Sequence, residues 1–110
     1  MIHILGSVPH KLAIAVSGGV DSMAALDFLR RSRDITVLHY NHGTGQHADE
    51  AELLVREYAD KFNLKRRFEK NQERVPEGVS PEAWWRKKRY SWFEKVTDLP
   101  VVTAHHLGDV

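Results

Sequence analysis

Cysteine is absent from the 110-residue chain. That excludes disulfide scaffolds, thiolate metal sites and any reaction that runs through a cysteine nucleophile. It fits a cytoplasmic protein. An excess of one charge is also missing, because 16 Lys and Arg face 15 Asp and Glu, for a net charge of +1. A polybasic tail or a supercharged nucleic-acid binder therefore does not explain the whole chain. No apolar run approaches the roughly 20 residues that span a bilayer, so no membrane partner is expected. The N-terminus has no charged region followed by an apolar run and a cleavage site, so secretion is not expected. Repeats and low-complexity tracts are lacking as well. The 42% hydrophobic content is too high for a disordered chain.

The chain instead alternates short apolar runs with longer amphipathic segments, as one domain of ordinary size would. Lys11–Val16 reads as a strand buried on both faces. Residues 21–32 follow as a helix, with Met23, Ala25, Leu26 and Leu29 on one side and Arg30 and Arg31 near its end. Ile35–Tyr40 is a second strand. A second helix is expected over His47–Asn63, with Ala51, Leu54, Val55, Tyr58, Ala59 and Phe62 at helical spacing. Lys65–Glu69 is a weaker strand and Lys70–Val79 a loop. Ser80 reads as an N-cap before Pro81 and Glu82, opening a third helix to Val96. Asp98–Pro100 breaks it, and Val101–Ala104 is a fourth strand. The order β-α-β-α-β-α-β predicts an α/β fold, a mostly parallel sheet with helices on both faces. Ligands in such sheets bind beyond the C-terminal strand ends. Those ends are Ser17–Ser22, Asn41–Gln46 and His105–Asp109.

Ser17-Gly18-Gly19-Val20-Asp21-Ser22 carries the strongest chemical signal. Paired glycines let the backbone bend tightly and approach a ligand. The N-terminus of the following helix offers free N–H groups and partial positive charge, which suits a phosphate. Ser17 and Ser22 add hydroxyls. Asp21 would repel a phosphate unless a cation lay between, which points to Mg2+. The plainer reading is a glycine turn with Asp21 as the helix cap. The string lacks the lysine of a GxxxxGK[ST] loop and is not GxGxxG. His39 and His42 close the second strand and can be read as a core and a turn histidine. His105 and His106 are adjacent on an extended segment and point to opposite faces, which argues against a shared zinc ion. Histidines lining a nucleotide pocket or accepting a proton fit better. Arg86 and Arg89 share a helix face beside the apolar side, where an arginine needs an anionic partner or reaches water. Lys87 and Lys88 read as solvated. Trp85, Tyr90, Trp92 and Phe93 read as core, and Trp84 as the exposed aromatic.

SGGVDS after a buried strand resembles the loop of the ATP-pyrophosphatase (PP-loop) superfamily. Three further segments resemble the tRNA(Ile)-lysidine synthetase branch. They are His39-Tyr40-Asn41-His42-Gly43, the helix from Pro81 to Tyr90, and Thr103-Ala104-His105-His106-Leu107-Gly108-Asp109. The resemblance implies a Rossmann-like sheet of the adenine nucleotide alpha hydrolase type, in strand order 3-2-1-4. It implies one PP-loop domain over 1–110, cut short at its C-terminal end relative to the family. It implies ATP and Mg2+ as cofactors, with tRNA(Ile) and free lysine as substrates. ATP would adenylate a tRNA cytidine, and the lysine amine would displace AMP. The resemblance gives Ser17–Ser22 the phosphates and gives Asp21 and Asp109 the Mg2+. It gives adenosine to Ala15, His39 and Asn41. Arg86, Arg89, His105 and His106 become catalytic candidates, the arginines on phosphates and the histidines for positioning or proton transfer. A homodimer is compatible with it.

The match has departures. Gly108 stands where the branch carries an acidic residue, Val110 where Gln is usual, and Trp84-Trp85 where small residues are usual. Two alternatives therefore stay open. One is an amide- or thio-forming PP-loop enzyme, of which the thiol-dependent kind is disfavoured by the missing cysteines. The other is a shortened module that binds ATP without turnover.

Overall fold

The computed structural model describes residues 10–103. Strands β1 (Lys11–Ala15), β2 (Asp34–Asn41), β3 (Lys65–Lys70) and β4 (Val101–Thr103) alternate with helices α1 (Val20–Leu29), α2 (Gln46–Lys61) and α3 (Pro81–Val96). All strand pairs are parallel and the order is β3-β2-β1-β4, as expected. The chain steps from β1 to β2 to β3 in one direction, then returns past β1 to lay down β4. With a fixed crossover hand, that reversal places α3 on the face opposite α1 and α2.

The period-two alternation of each strand feeds both faces. Leu12, Ile14, Val16, Ile35, Val37 and Val102 join Ala25, Leu26 and Leu29 of α1 and Val55 of α2 in the larger core. Ala13 and Leu38 point the other way and meet Trp92 and Phe93 of α3. β3 is a charged edge strand. Only Phe68 contributes to the larger core, while Arg66 pairs with Asp60 and donates to the Ala59 carbonyl at 3.1 Å. Charges on an edge strand discourage pairing with another chain.

Several boundaries differ from expectation for local reasons. α1 ends at Leu29, three residues early, because Asp34 must start β2 by bonding its N–H to the His10 carbonyl at 2.9 Å. Arg31 therefore lies beyond the helix and reaches back to Asp27 at 2.9 Å. In α2 the inward stripe is narrower than its spacing suggested. Val55 and Ala59 are fully buried, whereas Leu54 is 45% exposed, so Leu54 is not a core residue. Ser80 occupies the N-cap of α3, but its side chain makes no capping bond; its carbonyl accepts the Trp84 N–H at 3.0 Å. Trp84 is only half-buried, with the Lys88 ammonium 5.3 Å from its ring. Ala104, expected at the end of the fourth strand, lies outside the described residues.

Across α1 and α2, the Tyr58 hydroxyl donates to Asp27 at 2.5 Å and accepts from Arg30 Nε at 2.7 Å. The Arg30 guanidinium also stacks 3.6 Å from the Phe62 ring centre. This ties the two helices together over the first core. The contrast between the two leucines is testable. Leu26→Ala should cost about 2–5 kcal/mol in urea unfolding, and Leu54→Ala within about 0.5 kcal/mol. Equal losses would contradict the burial assignment.

Candidate nucleotide site

A cavity of about 550 Å3 opens where strand order reverses, beyond the ends of β1, β2 and β4. Its size falls within the usual range for small-molecule sites. Ala15, Ser17, Gly19, Val20, Asp21, Ser22, His39, Asn41 and Arg89 all line it, so most of the expected residues converge. The β2–α2 turn and the start of α2 add His42, Thr44, His47, Ala48 and Ala51, which motif reading did not assign to the site. The rule that ligands sit beyond strand ends had pointed to that turn, but without selecting residues. Tyr40, Phe93 and Thr103 complete much of the wall.

The glycine turn is held by its own serines. Ser22 is buried, and its Oγ accepts from the N–H groups of Ser17 and Gly18, both at 3.1 Å. It also donates to the Gly19 carbonyl at 3.1 Å. Ser17 Oγ accepts from the Gly19 N–H at 3.3 Å. Gly19, not Asp21, is the N-cap of α1. The first intrahelical bond runs from Met23 N–H to the Gly19 carbonyl, so the amides of Val20, Asp21 and Ser22 precede it. Asp21 stands exposed in that first turn, where the carboxylate suits the helix dipole. Gly18 has φ +93° and does not line the cavity; its backbone packs on Ala51 instead.

His39 is buried at 3% exposure, with Nδ1 2.6 Å from the Val16 carbonyl. A carbonyl only accepts, so Nδ1 carries the hydrogen and Nε2 is the bare nitrogen. Burial pulls the His39 pKa below its ordinary value against the raising effect of that bond. Burial also lowers the pKa of His42, helped by the Arg89 cation and His39. His42 is wedged between Tyr40 and Trp85, with ring centres at 5.2 and 5.5 Å. Three buried polar atoms lack a partner among the described residues at this wall: His39 Nε2, His42 Nδ1 and Thr103 Oγ1. Buried polar atoms are normally satisfied, so a ligand or water entering here has partners waiting.

Asn41 lines the cavity, and its carboxamide is committed to α2 and to the Gly43 N–H. Arg86 does not reach the main cavity. It lines a second one, of about 540 Å3, with Trp85 and Glu82; His42 and Arg89 border both cavities. His105, His106 and Asp109, the last of these the expected second Mg2+ ligand, lie outside the described residues. Among the described residues no three His, Asp or Glu side chains cluster as a metal site. No described helix is long and apolar enough to cross a membrane.

The histidine burial fixes an acid response. The folded pKa lies below 6.5, so below pH 6.5 the unfolded chain takes up a proton that the folded chain refuses. Stability present above pH 6.5 is then lost as pH falls toward the folded value. Lowering pH from 7.5 to 5.5 should cost at most about 1.4 kcal/mol for each such histidine. His39→Asn, which keeps a donor for Val16 without titrating, should show a smaller acid loss in urea unfolding. An undiminished loss would refute the burial of a neutral His39.

The family model described as a PP-loop domain matches residues 3–110. A tRNA(Ile)-lysidine synthase from Malacoplasma penetrans is 35% identical over 108 residues, which cover 91% of this chain and 36% of that protein. A tRNA(Ile)-lysidine synthase from Staphylococcus epidermidis (strain ATCC 35984) is 32% identical over 111 residues, with 89% and 25% covered. The chain thus spans about a quarter to a third of the length of these curated relatives. Among solved structures, the U34-tRNA thiolase NcsA from Methanococcus maripaludis shares the fold at a TM-score of 0.65 and 15% identity, covering 90% of this chain and 39% of that one. With residues 3–110 inside the matched model, the chain belongs to the PP-loop domain family.

Proposed function

We propose that this chain supplies the ATP site of a tRNA-modifying enzyme of the tRNA(Ile)-lysidine synthase kind. The observation that carries this reading is the glycine-bent turn at the N-terminus of α1. It opens onto a cavity whose wall holds three buried polar atoms without a partner among the described residues. In this reading the phosphates of ATP meet Ser17–Ser22 and the first amides of α1. Adenosine lies along Ala15 and the end of β2. Asp21 and Asp109 would hold Mg2+, which would supply countercharge for the leaving pyrophosphate.

The chemistry then runs in two displacements. The C2 oxygen of a tRNA cytidine attacks the α-phosphorus of ATP, and pyrophosphate leaves. The amine of free lysine attacks C2, AMP departs with that oxygen, and the amine gives up a proton. His105 and His106 are the candidates to take it. Arg89, at the boundary of the two cavities, and Arg86, in the second, would hold phosphates of ATP or tRNA. Such a reaction belongs to the cytoplasm, where tRNA and free lysine meet.

ATP–pyrophosphate exchange and AMP release, measured with tRNA(Ile) transcript and lysine, test the proposal. Asp21→Ala should lower tRNA-stimulated AMP release by roughly 10²–10³-fold, the size of losing one charge-stabilising group. Measurable ATP binding without any tRNA-stimulated AMP release would overturn the proposal in favour of an ATP-binding module without turnover.

A further inference from the structure

Asn41 is 1% exposed and every polar position of its side chain is engaged. Nδ2 donates to Asp49 Oδ1 at 2.9 Å and Glu52 Oε1 at 3.2 Å, with the Ala48 carbonyl at 3.4 Å. Oδ1 accepts from the Gly43 N–H at 2.8 Å. All the side-chain donor bonds go to the first two turns of α2. They also hold the Asp49 carboxyl below its usual range, with Lys70 adding to the effect. The end of β2 is thereby bolted to the start of α2.

Ala51 lies on this same stretch of α2, between the two carboxylates that Asn41 holds. It faces the phosphate turn. A Cβ added to Gly18 would come within 2.9 Å of Ala51 Cβ and 3.1 Å of the Ala51 carbonyl oxygen. Gly18 sits there at φ +93°, its N–H donating to Ser22 Oγ. The space in which Gly18 turns is therefore bounded by α2.

We infer that Asn41 is a positioning residue for the phosphate turn and acts at a distance: its carboxamide sets the place of Ala51, and Ala51 sets the backbone of Gly18. The ligand-binding side of this inference rests on the proposed ATP reading; its backbone side does not.

Asn41→Asp puts a third carboxylate against Asp49 and Glu52, while the double variant Asn41→Asp, Asp49→Asn restores one donor–acceptor pair with the roles exchanged. The full chain and both variants are compared by amide hydrogen exchange without ligand, and by titration with ATP, pyrophosphate and adenosine. In Asn41→Asp, the Gly18 and Gly19 amides should exchange faster. ATP and pyrophosphate should bind roughly tenfold more weakly, the size of a misplaced charge-assisted hydrogen bond, with adenosine within about twofold of the parent chain. The double variant should recover most of the loss. Equal weakening of adenosine and ATP in a folded Asn41→Asp chain would make Asn41 a direct nucleoside contact and overturn the inference. So would parental exchange and ATP affinity in that variant, or no recovery in a folded double variant. Should Asn41→Asp fail to fold by circular dichroism, Ala51→Val decides, because it presses on Gly18 without touching Asn41. It must show the same pattern, and parental behaviour refutes the inference. If the parent chain itself binds no ATP, the ATP reading fails, and the exchange comparison alone decides the role of Asn41.

Discussion

The backbone of Gly18 lies so close to Ala51 that no side chain fits between them. Much of the site geometry follows from this contact. A turn leaving a buried parallel strand must reverse into a helix within a few residues, and it must do so beside the neighbouring crossover helix. Gly18 accepts the left-handed backbone that this requires, at no steric cost. Ser17 and Ser22 then close the turn with their hydroxyls, which leaves the first amides of α1 for something outside the chain. A larger residue at 18 would push α2 outward and open the cavity wall that α2 provides.

The electrostatics of the cavity follow from the same packing. Burial pulls both His39 and His42 toward the neutral form, for His39 against the nearby Glu52 carboxylate. Among the described residues, the N-terminus of α1 and the Arg89 guanidinium bring positive potential to the cavity. Asp21 supplies the opposing charge at the first of these. A near-neutral chain can therefore host an anion site without a basic surface, because the charge is local and oriented. The net charge of +1 concealed this, and only the position of each group reveals it.

Much of the fold was legible because alternation along the strands and apolar spacing along the helices are local signals. Helix ends were less so. α1 stops at Leu29 because β2 must begin beside His10, a constraint between residues more than twenty positions apart. Leu54 carried the correct spacing yet faces outward, since the breadth of a buried stripe depends on how a helix lies across the sheet. At the site, the glycine turn was legible from its residue types alone. The partners of Asn41 were not: nothing in the sequence said that Asp49 and Glu52 would arrive one helical turn apart to claim its amide. Trp85 likewise read as core, but it stacks on His42 at the edge of the second cavity.

The two faces of the sheet divide the labour. α1 and α2 pack on one face, and with them come the glycine turn and the residues that brace it. α3 packs on the other and brings Arg86, Arg89 and Trp85. The two groups meet at the strand ends, where His42 and Arg89 border both cavities. That division follows from topology. Once the chain reverses past β1 to add β4, the last crossover helix must cover the opposite face, whatever its sequence. Arg89 and Phe93, from beyond its second turn, then reach the cavity from that face. The proposed second substrate would approach over α3 for that reason, and substitutions on α3 can alter it without disturbing the glycine turn.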